Sequence, residues 1–363
     1  MPFAILGLGT AIPPGQVSRA EGLVIAQKLS DPIVGRSDFL PDVYANSGVD
    51  TRYQVIGRLA VDDLFNDTRH SGSPFLPGPD PMGPTTAVRM KMYAECAPPL
   101  AVGAARIALD ESGQSAHAIT HLVTVSCTGF VAPGVDVTLI RELGLRNTVE
   151  RVHVGYMGCH GAINGLRTAM AFAADPKAVV MVVAVELCSL HYYYGMAADK
   201  VVANALFADG AAAVVGRGSE TGTGLRVVAT GSCLIPDSAE LMGWRIDDHG
   251  FEMTLSKKIP STIERHLRPW LEAWLNSHGV KIEGVGGWAV HPGGPRILSA
   301  VQKGLSLPEE ALTDSRQILA EYGNMSSPTV LFIIDRLRKQ NSTGPIVILG
   351  FGPGMIVEAA LVV

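Results

Sequence analysis

Cys159 lies in the run Gly155-Tyr-Met-Gly-Cys-His-Gly-Ala-Ile-Asn-Gly-Leu-Arg167, a thiol among small residues where an apolar, helix-compatible stretch begins. A helix N-terminus carries unpaired N–H groups and partial positive charge, both of which favour a thiolate. That placement marks Cys159 as a nucleophile, and the glycines beside it let a substrate approach. Two later segments supply partners. Trp288-Ala-Val-His-Pro-Gly-Gly-Pro295 puts His291 on a turn that prolines fix and glycines keep open, and Glu321-Tyr-Gly-Asn-Met-Ser-Ser-Pro328 offers Asn324. A neutral amide beside an imidazole can face an anionic oxygen, as an oxyanion hole requires. Cys159, His291 and Asn324 are therefore the candidate catalytic set, and Ser327 is expected to cap the helix that follows Pro328.

The elements that must position these groups are readable from hydrophobic patterning. Short β-branched runs alternate with longer Ala-rich stretches, which predicts a largely parallel sheet crossed by helices. Expected strands cover residues 3–8, 121–126, 179–186, 211–215, 225–231, 286–290 and 346–350; expected helices cover 94–112, 136–143, 162–174, 261–278, 295–304, 311–322 and 329–340. The proline-rich stretch 71–84 reads as a surface loop. A glycine-rich break at 216–224 divides the chain into a nucleophile-bearing half, 1–217, and a half with the histidine and asparagine, 218–363. A site between the halves follows.

At 363 residues and 47% hydrophobic content the chain can bury a large core. Its charged fraction is 17% and its net charge −5, which leaves no basic field to gather nucleic acid. Five scattered cysteines, at 96, 127, 159, 188 and 233, argue against a disulfide framework and a zinc site, and fit a reducing, cytoplasmic setting. No apolar run reaches the ~20 residues of a membrane helix. The N-terminal Phe3-to-Leu8 run reads as a buried strand, not a signal peptide. Gly7-Leu-Gly only partly imitates a dinucleotide fingerprint, since the third glycine and the acidic ribose partner are missing.

Together these segments, over nearly the whole chain, resemble the type III polyketide synthases, the chalcone and stilbene synthase family. The resemblance implies a thiolase-like fold, a five-layered αβαβα arrangement of two similar halves. It makes Cys159 the acyl-carrying nucleophile, His291 and Asn324 its catalytic partners, and Phe207 in Ala-Leu-Phe-Ala-Asp-Gly the gatekeeper. Met253 matches a second gatekeeper position. Cys127, Thr128, Cys188, His191 and Ser326 match pocket-lining positions, and Gly350-Phe351-Gly352-Pro353-Gly354 matches the C-terminal signature loop. Arg52 is similar to an arginine that contacts coenzyme A phosphates. The substrates implied are an acyl-CoA starter and malonyl-CoA, with no bound cofactor or metal and no membrane span. The implied products are a pyrone, a resorcinol or a related aromatic compound. A homodimer is implied too, with Ala132 standing where plant members reach a methionine into the partner's cavity.

Three other readings stay open. A β-ketoacyl-acyl-carrier-protein synthase III shares the fold and the Cys-His-Asn set but condenses once on a carrier protein. A cysteine hydrolase uses similar residue types. An inactive scaffold would leave every thiol inert.

Overall fold

The structure, a computed structural model, describes residues 1–30, 39–221, 224–340 and 344–363. Its first half runs β1 (Phe3–Ala11), β2 (Gly15–Ser18), α1 (Arg19–Ser30), α2 (Leu40–Ala45), β3 (Thr51–Gln54), α3 (Arg58–Asn66), α4 (Thr86–Ser112), β4 (His121–Ser126), α5 (Val135–Leu143), β5 (Glu150–Gly155), α6 (Gly161–Phe172), β6 (Val179–Leu187), α7 (Ala198–Leu206) and β7 (Asp209–Gly218). The second half continues with β8 (Arg226–Leu234), β9 (Met242–Asp247), β10 (Gly250–Leu255), α8 (Ile259–Ser277), β11 (Gly287–Val290), α9 (Pro295–Leu305), α10 (Thr313–Tyr322), α11 (Thr329–Lys339), β12 (Ile346–Gly352) and β13 (Ile356–Val362). Every expected strand and helix is present. Of the glycine-rich break, Gly222 and Thr223 lie outside the described residues.

Among the described residues, nine strands join in the order β11-β12-β13-β8-β1-β7-β6-β4-β5. The join between β1 and β8 rests on Phe3 opposite Val227 and Ala4 opposite Arg226, so the sheet divides there into two leaves. The expectation of a largely parallel sheet is corrected. β4 is parallel to β5 and β6, and β11 to β12, but β1–β7, β6–β7, β12–β13 and β8–β13 are antiparallel. The reason is connection length: β12 returns as β13 through the short turn Pro353–Met355, far too few residues for a parallel crossover.

Strand alternation sends successive side chains to opposite faces and sorts the core into layers. Val180, Val182, Ala212 and Val214 from one leaf, and Ile346, Ile348 and Ala360 from the other, pack against α6 and α11 between them. Met181, Val183, Ala211 and Ala213 face outward onto α4, and Val347, Leu349, Ala359 and Leu361 face outward onto α8 and α9. Helix, leaf, helix pair, leaf and helix pair give the five layers of the thiolase fold. The doublet Gly7 and Gly9 proves to be a packing feature, because a Cβ at either would run into the α4 backbone at Ala108 and Ala104.

Candidate active site

Cys159 sits where β5 turns into α6. His160 is the residue before the first helical position, so the thiol lies one step outside the helix N-terminus. Its sulfur is buried, and the Ser326 hydroxyl donates to it at 3.5 Å. The same hydroxyl lies 3.3 Å from Cys127 Sγ. Ser326 thus stands between two thiols that are far apart in sequence.

Asn324 reaches this place from the end of α10. Gly323 ends that helix at φ 75°, and a Cβ there would press on Ala208, Leu206 and Arg52. The backbone of Asn324 then bridges Phe207: its N–H donates to Leu206 O at 2.8 Å, and Ala208 N–H donates to its carbonyl at 2.9 Å. Its Oδ1 accepts from Ser326 N–H at 2.8 Å, which fixes the amide plane and leaves Nδ2 as the donor. His291 prolongs β11, its N–H donating to Leu349 O at 2.8 Å on β12. The ring is 1% exposed, and neither of its nitrogens has a hydrogen-bond partner.

Burial controls the charge of the pair. It pushes the Cys159 thiol up to about 12, opposed by the Ser326 hydroxyl and assisted by the charge of Glu186. It pushes His291 down to about 3, with His160 adding to the effect. Burial thus opposes the thiolate that the helix N-terminus favours. Such a terminus is worth about 0.3–1 kcal/mol near its first turn, less than the cost of a buried charge. Burial therefore disfavours the charged form of each partner.

A pocket adjoins the thiol and shares wall residues with an outer cleft. The inner pocket is lined by Cys127, Thr128, Cys159, Cys188, Ser326 and Pro353, among others. The outer cleft is lined by Arg52, Cys188, His191, Tyr193 and Lys200, among others. Phe207, Trp244 and Met253 line both, so the two expected gatekeepers stand at the boundary. His291 and Asn324 line neither space. Gly350 and Gly352 belong to β12, Phe351 points into the outer core, and Gly354 turns the chain at φ 78°.

Several site residues carry internal contacts besides lining the walls. His191 is a strut: its Nε2–H donates to Thr128 O at 2.7 Å, and its Nδ1 accepts from Phe251 N–H at 2.9 Å. Both nitrogens are used, and burial takes its pKa down to about 3. Thr128 turns its hydroxyl to Glu186 at 2.7 Å. Ser327 caps nothing; Pro328 holds the cap position, and the Ser327 hydroxyl donates to Glu186 at 2.6 Å. Arg52 is 6% exposed, its guanidinium donates to the Asn204 carbonyl, and it lies 5.9 Å from the Tyr44 ring centroid. With those internal contacts it forms part of the outer cleft's wall.

Three residues escaped the sequence reading. Glu186 is fully buried and also accepts from Cys127 N–H at 2.9 Å, gathering Cys127, Thr128 and Ser327 on one carboxylate; burial raises its pKa. A lone acidic residue ending an apolar strand was its only signal. Trp244 donates from Nε1 to Cys127 O at 2.8 Å, and Phe251 stacks on His191 at 4.2 Å between centroids. Both come from the β9–β10 hairpin, whose place against the site is a long-range matter.

A thiol on a strand-to-helix turn, with an imidazole and an oriented carboxamide brought by the other half of a thiolase fold, defines an acyl-transferring condensing enzyme. Family models for chalcone and stilbene synthases match both halves, the N-terminal domain over residues 3–220 and the C-terminal domain over 226–363. The chain belongs to the chalcone and stilbene synthase family, the type III polyketide synthases. It is 33% identical to the alpha-pyrone synthesis polyketide synthase-like Pks18 of Mycobacterium tuberculosis, over 98% of this chain and 90% of that one. It is 40% identical to a 1,3,6,8-tetrahydroxynaphthalene synthase of Streptomyces peucetius subsp. caesius, over 70% of each. The crystal structure of PKS-I from the brown alga Ectocarpus siliculosus superposes with a TM-score of 0.91 and 32% identity, covering 99% of this chain and 98% of that one. Among the described residues, no helix is long and apolar enough to cross a membrane.

Proposed function

We propose that this polyketide synthase loads an acyl group from an acyl-CoA onto Cys159, extends it repeatedly with malonyl-CoA, and cyclises the chain to a pyrone, a resorcinol or a related aromatic product. The observation that carries the reading is the Ser326 junction: one residue ties the Cys159 sulfur to the amide plane of Asn324, at the edge of an apolar pocket.

Because burial favours the neutral forms, His291 acts first as a base. It takes the Cys159 proton as the sulfur attacks the thioester carbonyl, and coenzyme A leaves as its thiolate, which solvent protonates, so the site-facing nitrogen of His291 keeps an N–H for the next step. Malonyl-CoA then enters from the outer cleft. His291 and the Asn324 Nδ2 donor hold its thioester oxygen, so that loss of CO2 leaves a stabilised enolate. The enolate carbon attacks the Cys159 thioester and lengthens the chain by two carbons. Phe207, apolar and at the boundary of the two spaces, disfavours the ionised carboxylate and favours its departure. We place the division of the chain at 1–217 and 218–363, each half supplying part of this set.

We also propose that two copies pair through β5. This strand is an edge of the sheet with an exposed face, and Phe130, Val131, Val137 and Val152 are exposed beside it. Unpaired strand edges and clustered apolar side chains are what a partner covers.

The deciding experiment incubates the protein with malonyl-CoA and a panel of acyl-CoA starters and compares product masses with those from Cys159→Ala. Masses rising in acetate-sized steps only with the native chain are expected. Free acids alone would mean hydrolysis, and a single condensation on a carrier protein would mean the synthase III reaction.

A further inference from the structure

The residue after the nucleophile is a second buried imidazole to which the reaction above gives no task. His160 is 1% exposed. Its Nδ1–H donates to Asn164 Oδ1 at 2.8 Å, one helical turn on, which makes Nε2 a bare acceptor. That Nε2 is buried without a hydrogen-bond partner, as are both ring nitrogens of His291.

Alternation along the strands puts the two rings on one side. Val290, Leu349 and Phe351 point into the outer core, so His291, Gly350 and Gly352 turn to the inner face, toward α6. A Cβ on Gly350 would stand 2.9 Å from His160 Cβ, and one on Gly352 would overlap the His160 ring at Nε2 and Cδ2. The two glycines of the signature loop thus form the slot that holds His160 beside the end of β11.

Buried polar nitrogens in native proteins are satisfied by protein or by ordered water, and a catalytic base needs a third group to fix its orientation. We propose that His160 orients His291 through one bridging water, making it the positioning residue of the Cys159–His291 pair. The N–H of His291 donates to the water, the water donates to His160 Nε2, and His160 donates from Nδ1 to Asn164. This one-way chain leaves the other His291 nitrogen bare toward the thiol. The charged and titratable groups facing His160 are Glu358, Arg167 and His291, and the first two pair with each other. Burial holds His160 below the usual histidine range, so it remains an acceptor at neutral pH.

The inference rests on the reading of Cys159 and His291 as the reacting pair, and its test separates the two. His160→Phe, His160→Gln and Asn164→Ala are compared with native protein in malonyl-CoA condensation across the neutral pH range, with kcat and KM read separately. Loss of orientation predicts that His160→Phe lowers kcat about ten- to a hundredfold, with little change in KM. It also predicts a displaced acid limb in the kcat–pH profile. Gln keeps an acceptor oxygen and should recover much of the rate; Asn164→Ala, which frees the ring, should fall between. A native-like profile and kcat in His160→Phe overturns the inference, and so does a loss of rate with an unmoved profile that Gln does not recover. Histidine-ring 15N NMR on the native protein decides if the variants do not fold: one fixed His291 tautomer is expected, and averaged tautomers overturn the chain. An active Cys159→Ala would instead remove the reading of the site itself.

Discussion

The charge state of Cys159 depends on a contest between a favourable helix end and an unfavourable dry pocket, and the pocket wins. A thiol raised to about 12 holds few thiolates near neutrality, and raising the pH through its folded pKa supplies them. Alkylation of the ligand-free protein by iodoacetamide should therefore accelerate about tenfold per pH unit above neutrality, monitored at Cys159 by peptide mass. A plateau near neutral pH would reveal a preformed ion pair with His291. Asn324 carries a separate expectation. Losing one oxyanion donor costs about 2.7–4 kcal/mol in the barrier, so Asn324→Ala should slow extension by roughly two to three decades. Its acylation by starter alone, followed by intact-protein mass, should survive.

At the scale of elements, the turns matter as much as the helices they end. Gly323 combines a left-handed φ with contacts on three sides. Gly323→Ala should cost about 1–3 kcal/mol, read as a lower midpoint in urea unfolding, and should reduce condensation because Asn324 moves with it. Helices were readable where their apolar spacing repeats, as in α8 with Ile263, Leu267, Leu271 and Leu275 buried on one face. The catalytic set was readable for a different reason: each member sits beside glycines whose only use is a turn or a close approach. β5 was not readable, because an exposed edge strand with Glu150, Arg151 and His153 has no apolar run. The β9–β10 hairpin was missed on similar grounds. Its role is set by register, Met253 opposite Trp244, and by packing on residues more than a hundred positions away.

For the whole molecule, the edge at β5 is an open surface. Sedimentation should give a particle of twice the chain mass, and Val152→Lys, which sets like charges facing across a two-fold pairing, should shift it toward the single chain. Sedimentation of the native protein as a single chain would remove the pairing. Inside, the bridge between Phe207 and Asn324 couples the boundary of the cavity to the reaction centre. Since the doorway and the amide share one length of pinned main chain, neither can be repositioned without disturbing the other. New products in such a scaffold must then arise by swapping the bulk of wall residues such as Cys188 and Met253, while loop remodelling near the gate would sacrifice turnover.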